Sequence, residues 1–298
     1  MGAPPARGGE PARLRAVAET LAAEAAEFVR RRRAEVFGVD AGGLNAQDSD
    51  VVRSKSTPTD PVTVVDTETE RLLRDRLAEL RPGDPILGEE GGGPATAASA
   101  DAVTWVLDPV DGTVNFVYGI PAYAVSVGAQ VNGVSVAGAV ADVAGGRVYT
   151  AGRGLGAHVT DDQGRHELRC ADVTDLSMAL LGTGFGYSTG RRARQAELLA
   201  RLLPMVRDVR RIGSAALDLC MVAAGRLDAY YEHGLQVWDR AAGGLIAAEA
   251  GARVVVPADE SVGSPGSPAG LVLAAAPGIA DELLAALWEF DGLDPILD

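Results

Sequence analysis

Apolar residues recur along this chain with two different periods, and the change of period predicts where helices and strands fall. Over residues 12–33, Leu14, Val17, Leu21, Phe28 and Val29 form one stripe at helical spacing, with Glu and Arg elsewhere. A second helix is predicted over about 64–80, burying Val65, Leu72, Leu73, Leu77 and Leu80. Thr63, with Asp66 three residues on, gives it the Asp form of a capping box. The polar stretch 40–50 reads as a loop, and Pro58 and Pro61 keep the segment before the second helix extended. A short apolar piece at 85–87 runs into Gly88-Glu89-Glu90, and an apolar run at 105–107 reads as a buried strand. Period two then takes over in 123–131 and 134–140, joined by Asn132-Gly133, a strong hairpin signal. Turns at 144–146 and 161–164 carry the meander to about residue 169. The first half is therefore helix, helix, then an antiparallel sheet.

The second half changes pattern again. Strands are predicted at 178–181, 209–212, 227–232, 253–256 and 271–275. Helices are predicted at 191–206 (interrupted or ended near Pro204), from Gly213-Ser214 to 224, from Asp239 through 250, and at 280–290. Strands alternating with helices imply a layered α/β unit. Residues 91–101 and 257–270 read as loops. A chain of 298 residues holds one large domain or two ordinary ones. With no fixed-period repeat and no long linker, the halves 1–170 and 171–298 are expected to pack as one body.

Charge narrows the function classes. A net charge of -14 argues against a broad nucleic-acid or anionic-membrane surface. Cys170 and Cys220 lie far apart and in no metal spacing, which suits free thiols in a reducing compartment. His158, His166 and His233 form no zinc pattern. The Gly/Pro/Ala-rich start lacks the apolar segment of a signal peptide, Ala6 breaks the myristoylation pattern, and no uninterrupted apolar run is long enough to span a membrane. The expectation is a soluble, cytoplasmic protein. Of 27 basic residues only Lys55 is a lysine. It is either a remnant of compositional bias or a residue held by its chemistry.

Candidate chemistry sits where predicted strands end and helices begin. In Trp105-Val106-Leu107-Asp108-Pro109-Val110-Asp111-Gly112-Thr113, two carboxylates lie three apart on a turn stiffened by proline. Such a pair suits a hard divalent cation, which takes carboxylate and carbonyl oxygens; an ordinary acidic turn is the plain alternative. Glu89 and Glu90 face opposite ways if extended, so one points into a site, or both sit on a solvated turn. Asp66 and Asp239 each suit helix capping as well as chemistry. Asp60, Asp66, Glu89, Asp108, Asp111 and Asp239 thus place six carboxylates in four short segments.

Taken together, these segments resemble the inositol monophosphatase family, the Mg2+-dependent, lithium-sensitive sugar phosphatases. The resemblance rests on Gly88-Glu89-Glu90, on the run 105–116, on Trp238-Asp239-Arg240-Ala241-Ala242-Gly243, and on the order and spacing of these segments. The segment 55–66 and Arg210-Arg211-Ile212-Gly213-Ser214-Ala215-Ala216-Leu217-Asp218-Leu219 also fit, the latter pointing to the bacterial inositol-1-monophosphatase branch. It spans roughly residues 12–293.

The resemblance implies an α/β fold in α-β-α-β-α layers, with most metal ligands in 1–170, and Asp239 and the substrate-hydroxyl site in 171–298. It implies two or three Mg2+ ions. Glu89, Asp108 and the carbonyl of Val110 would hold one, and Asp108, Asp111 and Asp239 a second, with Glu89 sharing a third. Gly112 and Thr113 would take phosphate oxygens at a helix start, and Thr113 with Asp66 would orient the attacking water. Glu232, Asp239, Gly213, Ser214 and Ala215 would line the substrate, with Lys55 near the metals and phosphate. The implied reaction is hydrolysis of a phosphate monoester, inositol 1-phosphate first, by in-line attack of a metal-activated water. Fructose 1,6-bisphosphate, 3'-phosphoadenosine 5'-phosphate and histidinol phosphate share the motifs. A haloacid-dehalogenase-type enzyme would need Asp-x-Asp-Gly-Thr, one residue shorter than the spacing here. A regulatory binding protein of the same fold is the non-enzyme alternative, and a homodimer is implied.

Overall fold

The computed structural model describes residues 9–38, 52–54, 61–93, 102–257 and 270–296. The loops expected at 40–50, 91–101 and 257–270 fall wholly or mostly outside them, as do Lys55 and Asp60.

The first helix, α1 (Gly9–Phe37), is longer than its apolar stripe predicted, and its buried face differs. Leu14, Ala18, Leu21, Ala22, Ala25, Ala26 and Val29 are buried, whereas Val17 and Phe28 are only half-buried. Alanines let the helix lie close against a sheet whose facing residues, Ala137, Ala139 and Ala141, are equally small. A short ribbon follows, β1 (Val52–Ser54) paired antiparallel with β2 (Pro61–Thr63). Helix α2 (Val64–Leu80) begins with the predicted capping box: the Thr63 hydroxyl accepts from the Val65 N–H, and the Asp66 carboxylate accepts from the Thr63 N–H at 2.9 Å. Its inner face is less apolar than expected. Leu80 is exposed and Leu72 half-buried, while Asp66, Thr69 and Glu70 are buried with Val65, Leu73 and Leu77.

The larger sheet runs β3 (Ile86–Gly88), β4 (Val103–Asp111), β5 (Ala124–Val131), β6 (Val134–Asp142), β7 (Arg147–Gly152), β8 (Ala157–Asp161) and β9 (Gly164–Glu167), in that order. Asn132 and Gly133 both take positive φ at the β5–β6 hairpin, as a type I′ turn requires. The sheet is not antiparallel throughout. Strand β3 pairs parallel with β4, Ile86 opposite Trp105 and Gly88 opposite Leu107. That pairing sets the C-terminal ends of both strands side by side, with Glu89 directly beyond one and Asp108 to Asp111 closing the other. Register against β5 shifts between Asp108 and Asp111, at the site of Pro109, which has no N–H for a ladder bond. Strand β4 is buried along its full length, because α2 covers one face and α6 the other.

Beyond a 3-10 turn (Leu176–Met178), the second sheet holds β10 (Leu180–Thr183), β11 (Asp208–Arg210), β12 (Ala229–His233), β13 (Arg253–Val255) and β14 (Leu271–Ala275). Its order is β11-β10-β12-β14-β13, with β10 parallel to β11 and β12. The strand expected at 178–181 starts later because Asp175 caps the 3-10 turn, accepting from the Ser177 N–H at 2.9 Å. Helix α4 (Thr189–Leu202) stops before Pro204, which lies in a second 3-10 turn (Leu203–Met205). Helices α5 (Ala215–Ala223), α6 (Val237–Glu249) and α7 (Pro277–Glu289) complete the chain with a short α3 (Thr113–Tyr118). Helix α7 begins ahead of its predicted start because Pro277 fits the first turn.

The layers follow from which faces are apolar. Helices α1 and α2 cover one face of the larger sheet. Helices α5 and α6 fill the space between the sheets, and α4 and α7 close the outer face of the smaller one. The α-β-α-β-α order implied by the family resemblance is the order observed. Helix α6 sits unusually close to the larger sheet: a Cβ at Gly138 would lie 2.8 Å from the Ala242 Cα, and one at Gly128 3.0 Å from the Ala241 Cβ. This close seat fixes the N-terminus of α6, and hence Asp239, against the end of β4.

Candidate active site

Asp108, Asp111 and Asp239 meet where β4 ends and α6 begins, each offering a carboxylate oxygen within 4.8 Å of the others. Among the described residues this is the group of three or more acidic, Cys or His side chains arranged to hold an ion. Each is fixed by backbone. Asp108 Oδ1 accepts from the Val110 N–H at 3.1 Å. Asp111 Oδ2 accepts from the Ser214 hydroxyl at 2.6 Å and the Ala216 N–H at 2.7 Å. Asp239 Oδ2 accepts from the Gln236 N–H at 2.6 Å, closing a capping box on α6. Glu89, directly beyond β3, is near enough to Asp108 to raise its carboxyl.

Four carboxylates this close oppose one another's ionisation. Burial, then Glu89, Asp111 and Asp239 in turn, push the Asp108 carboxyl well above the usual range. Asp239 is raised by burial and by Asp111 and Glu89. Burial carries Asp111 to about 6, opposed by its bonds to Ser214 and Ala216. A donor set made only of oxygens, and costly to charge without a counter-ion, fits a hard divalent cation rather than zinc.

Beside this cluster lies a hydroxyl held between two acceptors. Thr113 Oγ1 is 3.0 Å from the carbonyl oxygen of Val110 and 3.2 Å from Asp66 Oδ1. Asp66 Oδ2 accepts from the Thr63 hydroxyl at 2.5 Å. Burial raises the Asp66 carboxyl to about 7, against the lowering effect of Thr63. Gly112 has φ 93°, and a Cβ there would come within 3.0 Å of the Gly213 carbonyl oxygen. Asn115 Nδ2 donates to the Ala122 and Ile212 carbonyls at 2.8 and 2.9 Å, tying this turn to the loop before α5.

The loop then leads to Gly213, Ser214 and Ala215. Glu232, on β12, accepts from the Tyr230 hydroxyl at 2.5 Å. Burial lifts its carboxyl to about 7, opposed by that bond and by Arg211. Its carboxylate occupies the space a side chain at Gly184 would fill. The fold thus brings Asp66, Glu89, Asp108, Val110, Asp111, Gly112, Thr113, Gly213, Ser214, Ala215, Glu232 and Asp239 around one region. Lys55 lies outside the described residues.

Three buried polar residues here have no role assigned by the sequence pattern, although Asp218 lies in the motif at 210–219. Glu70 and Asp218 are buried carboxylates on α2 and α5, and Tyr230 orients Glu232. A signal existed for Glu70: it lies four residues after Asp66, on the face that also carries Leu73 and Leu77. Cys170 and Cys220 are free thiols. No helix among the described residues is long and apolar enough to cross a membrane.

Comparison with known proteins agrees with this geometry. The sequence model of the inositol monophosphatase family matches residues 10–291. The chain is 74% identical over 293 residues to an inositol-1-monophosphatase of Mycobacterium bovis, covering 97% of this chain and 98% of that one. It is 39% identical over 247 residues to the Nus factor SuhB of Pasteurella multocida, covering 83% and 89%. The solved structure of Mycobacterium tuberculosis SuhB superposes with a TM-score of 0.79 at 67% identity, covering 96% of this chain and 100% of that one.

Proposed function

The chain belongs to the inositol monophosphatase family, and from that premise we propose that this phosphatase hydrolyses inositol 1-phosphate to inositol and phosphate with Mg2+. The observation that carries the reading is the convergence of Asp108, Asp111 and Asp239 beside the Thr113–Asp66 pair. High identity to a protein named inositol-1-monophosphatase supports the substrate.

Glu89, Asp108, the Val110 carbonyl, Asp111 and Asp239 would hold two or three Mg2+ ions. Bound there, the ions supply neutralising charge for the phosphate and acidify water. The remaining roles belong to side chains and backbone. The Thr113 hydroxyl accepts a hydrogen bond from the attacking water and passes its own proton toward Asp66, so the water's lone pair faces the phosphorus. Gly112 and Thr113 present backbone N–H groups to the phosphate oxygens. Glu232, held by Tyr230, accepts from substrate hydroxyls, and Gly213 to Ala215 line the same pocket. Lys55 is assigned to the phosphate. No protein nucleophile takes part, so no phosphoaspartate forms.

The test is phosphate release from inositol 1-phosphate, fructose 1,6-bisphosphate, 3'-phosphoadenosine 5'-phosphate and histidinol phosphate, with Mg2+ titrated in the presence and absence of Li+. Preference for inositol 1-phosphate and inhibition by Li+ are expected. Preference for another ester sinks the substrate and leaves the reaction class. Release from none favours a regulatory binding protein of this fold. A cytoplasmic homodimer is part of the same reading, checked by cell fractionation and light scattering.

A further inference from the structure

Strand β3 is three residues long and lies at the edge of its sheet, with β4 as its one neighbour. The turn that follows carries Glu89 and is rich in glycine. Such a segment has several conformations available unless something outside the sheet holds it. Helix α2 does. Glu70, only 2% exposed, accepts from the Glu90 N–H at 2.7 Å and from the Gly91 N–H at 2.8 Å, one on each carboxylate oxygen. Arg74, one helical turn on, donates to Glu70 Oε1 at 2.8 Å and to the Gly92 carbonyl at 2.5 Å. The turn closes on itself through reciprocal bonds between Gly88 and Gly92, 3.1 and 3.0 Å long.

The fit is steric as well as polar. A Cβ at Gly88 would fall on the Glu70 carboxylate, and one at Gly91 would lie 2.6 Å from Glu70 Oε1 and 3.0 Å from Arg74 Nη2. The glycines of Gly88-Glu89-Glu90-Gly91 are thus where the backbone must approach a buried carboxylate. The same helix carries Asp66 one turn earlier, on the same face, so α2 aligns the Thr113 partner and the Glu89 turn together.

We propose that Glu70 and Arg74 are positioning residues that hold the Glu89 carboxylate in place for a divalent cation. This rests on the cation reading of the site above. A buried ion pair serving stability alone would also tie α2 to the turn, but it would leave metal affinity unchanged once the protein is folded. Partners that orient metal ligands typically change affinity about 10–100-fold when removed.

Mn2+ serves as the probe, titrated calorimetrically into metal-free protein without substrate. Glu70→Ala is expected to weaken Mn2+ binding roughly 10-fold or more, and Glu70→Gln, which keeps one acceptor, by less. Arg74→Met leaves both Glu70 contacts with the turn and should weaken it by about half that effect on a logarithmic scale. In a Glu89→Gln background, Glu70→Ala should add little, because the ligand it positions is already altered. Wild-type Mn2+ affinity in folded Glu70→Ala and Arg74→Met, with only a lower Tm, overturns the proposal. If Glu70→Ala does not fold, Glu70→Gln and Arg74→Met decide by the same criterion. If the wild-type chain takes up no Mn2+, the cation reading itself falls.

Discussion

Ser214 donates a 2.6 Å hydrogen bond to Asp111, joining the end of β4 to the start of α5 across 103 residues. The same hydroxyl accepts from the Leu217 N–H and so caps α5. One side chain thus links the acidic cluster to the loop assigned to the substrate. Ser214→Ala should lower stability by about 1 kcal/mol through the lost cap. It should also raise the Mg2+ concentration needed for half-maximal activity several-fold, on the order seen when a partner of a metal ligand is removed. Thermal melts with and without Mg2+, alongside activity, separate the two effects. An unchanged Mg2+ requirement would leave Ser214 a cap only.

Thr113 Oγ1 lies 3.2 Å from Asp66 Oδ1, within hydrogen-bond reach, so the proposed proton relay makes them a unit. Thr113→Ala and Asp66→Asn should each reduce kcat by about 10²–10⁴-fold with KM nearly unchanged, and the double variant should be little worse than either alone. Multiplicative losses in steady-state phosphate release would show that the two act independently.

The raised carboxyls set the direction of pH dependence. In the metal-free protein Asp66 and Glu232 titrate near 7 and Asp111 near 6, against about 3.9–4.3 when unfolded. Between pH 4 and 7 these carboxyls hold more protons in the native state than in the unfolded state. Their contribution to the stability of the metal-free protein is therefore lost as pH rises through that window, and the Tm is expected to fall with it. Cations need the ionised forms, so Mg2+ should raise Tm more at pH 8 than at pH 5.5. Melts in EDTA and in Mg2+ at both pH values test this; a metal-free Tm that is higher at pH 8 would contradict it.

Gly138 packs under α6, where an added Cβ would lie 2.8 Å from the Ala242 Cα. Gly138→Ala should cost about 1–3 kcal/mol from overpacking. Because α6 carries Asp239, Mn2+ binding should weaken along with stability. Full metal affinity in the destabilised variant would show that α6 absorbs the extra methyl without moving its first turn.

Much of this protein was legible locally. The capping box of α2 and the Asn132-Gly133 hairpin are set by neighbours in sequence, and each formed as its residues dictate. Asp108 to Asp111, expected as a turn after a strand at 105–107, instead continue β4 with an irregular register, because β5 pairs on both sides of Pro109. Element ends were less legible, because Asp175 and Pro277 compete with the apolar pattern through a cap and a missing donor, although the helix end near Pro204 was readable. On α1 the buried face keeps Leu14, Leu21 and Val29 but takes alanines in place of Val17 and Phe28. Close helix–sheet contact favours the smaller side chain.

The sequence alone determined the kinds of chemistry available: carboxylates at strand ends and helix starts, a threonine beside them, and an α/β pattern to carry them. Tertiary structure decided which of those carboxylates meet. Parallel pairing of β3 with β4 sets Glu89 beside Asp108, glycine contacts seat Asp239 over the end of β4, and Glu70 reaches out of α2 to grip the turn. Those are contacts between segments far apart in the chain. Their geometry depends on packing and register, which no local propensity encodes.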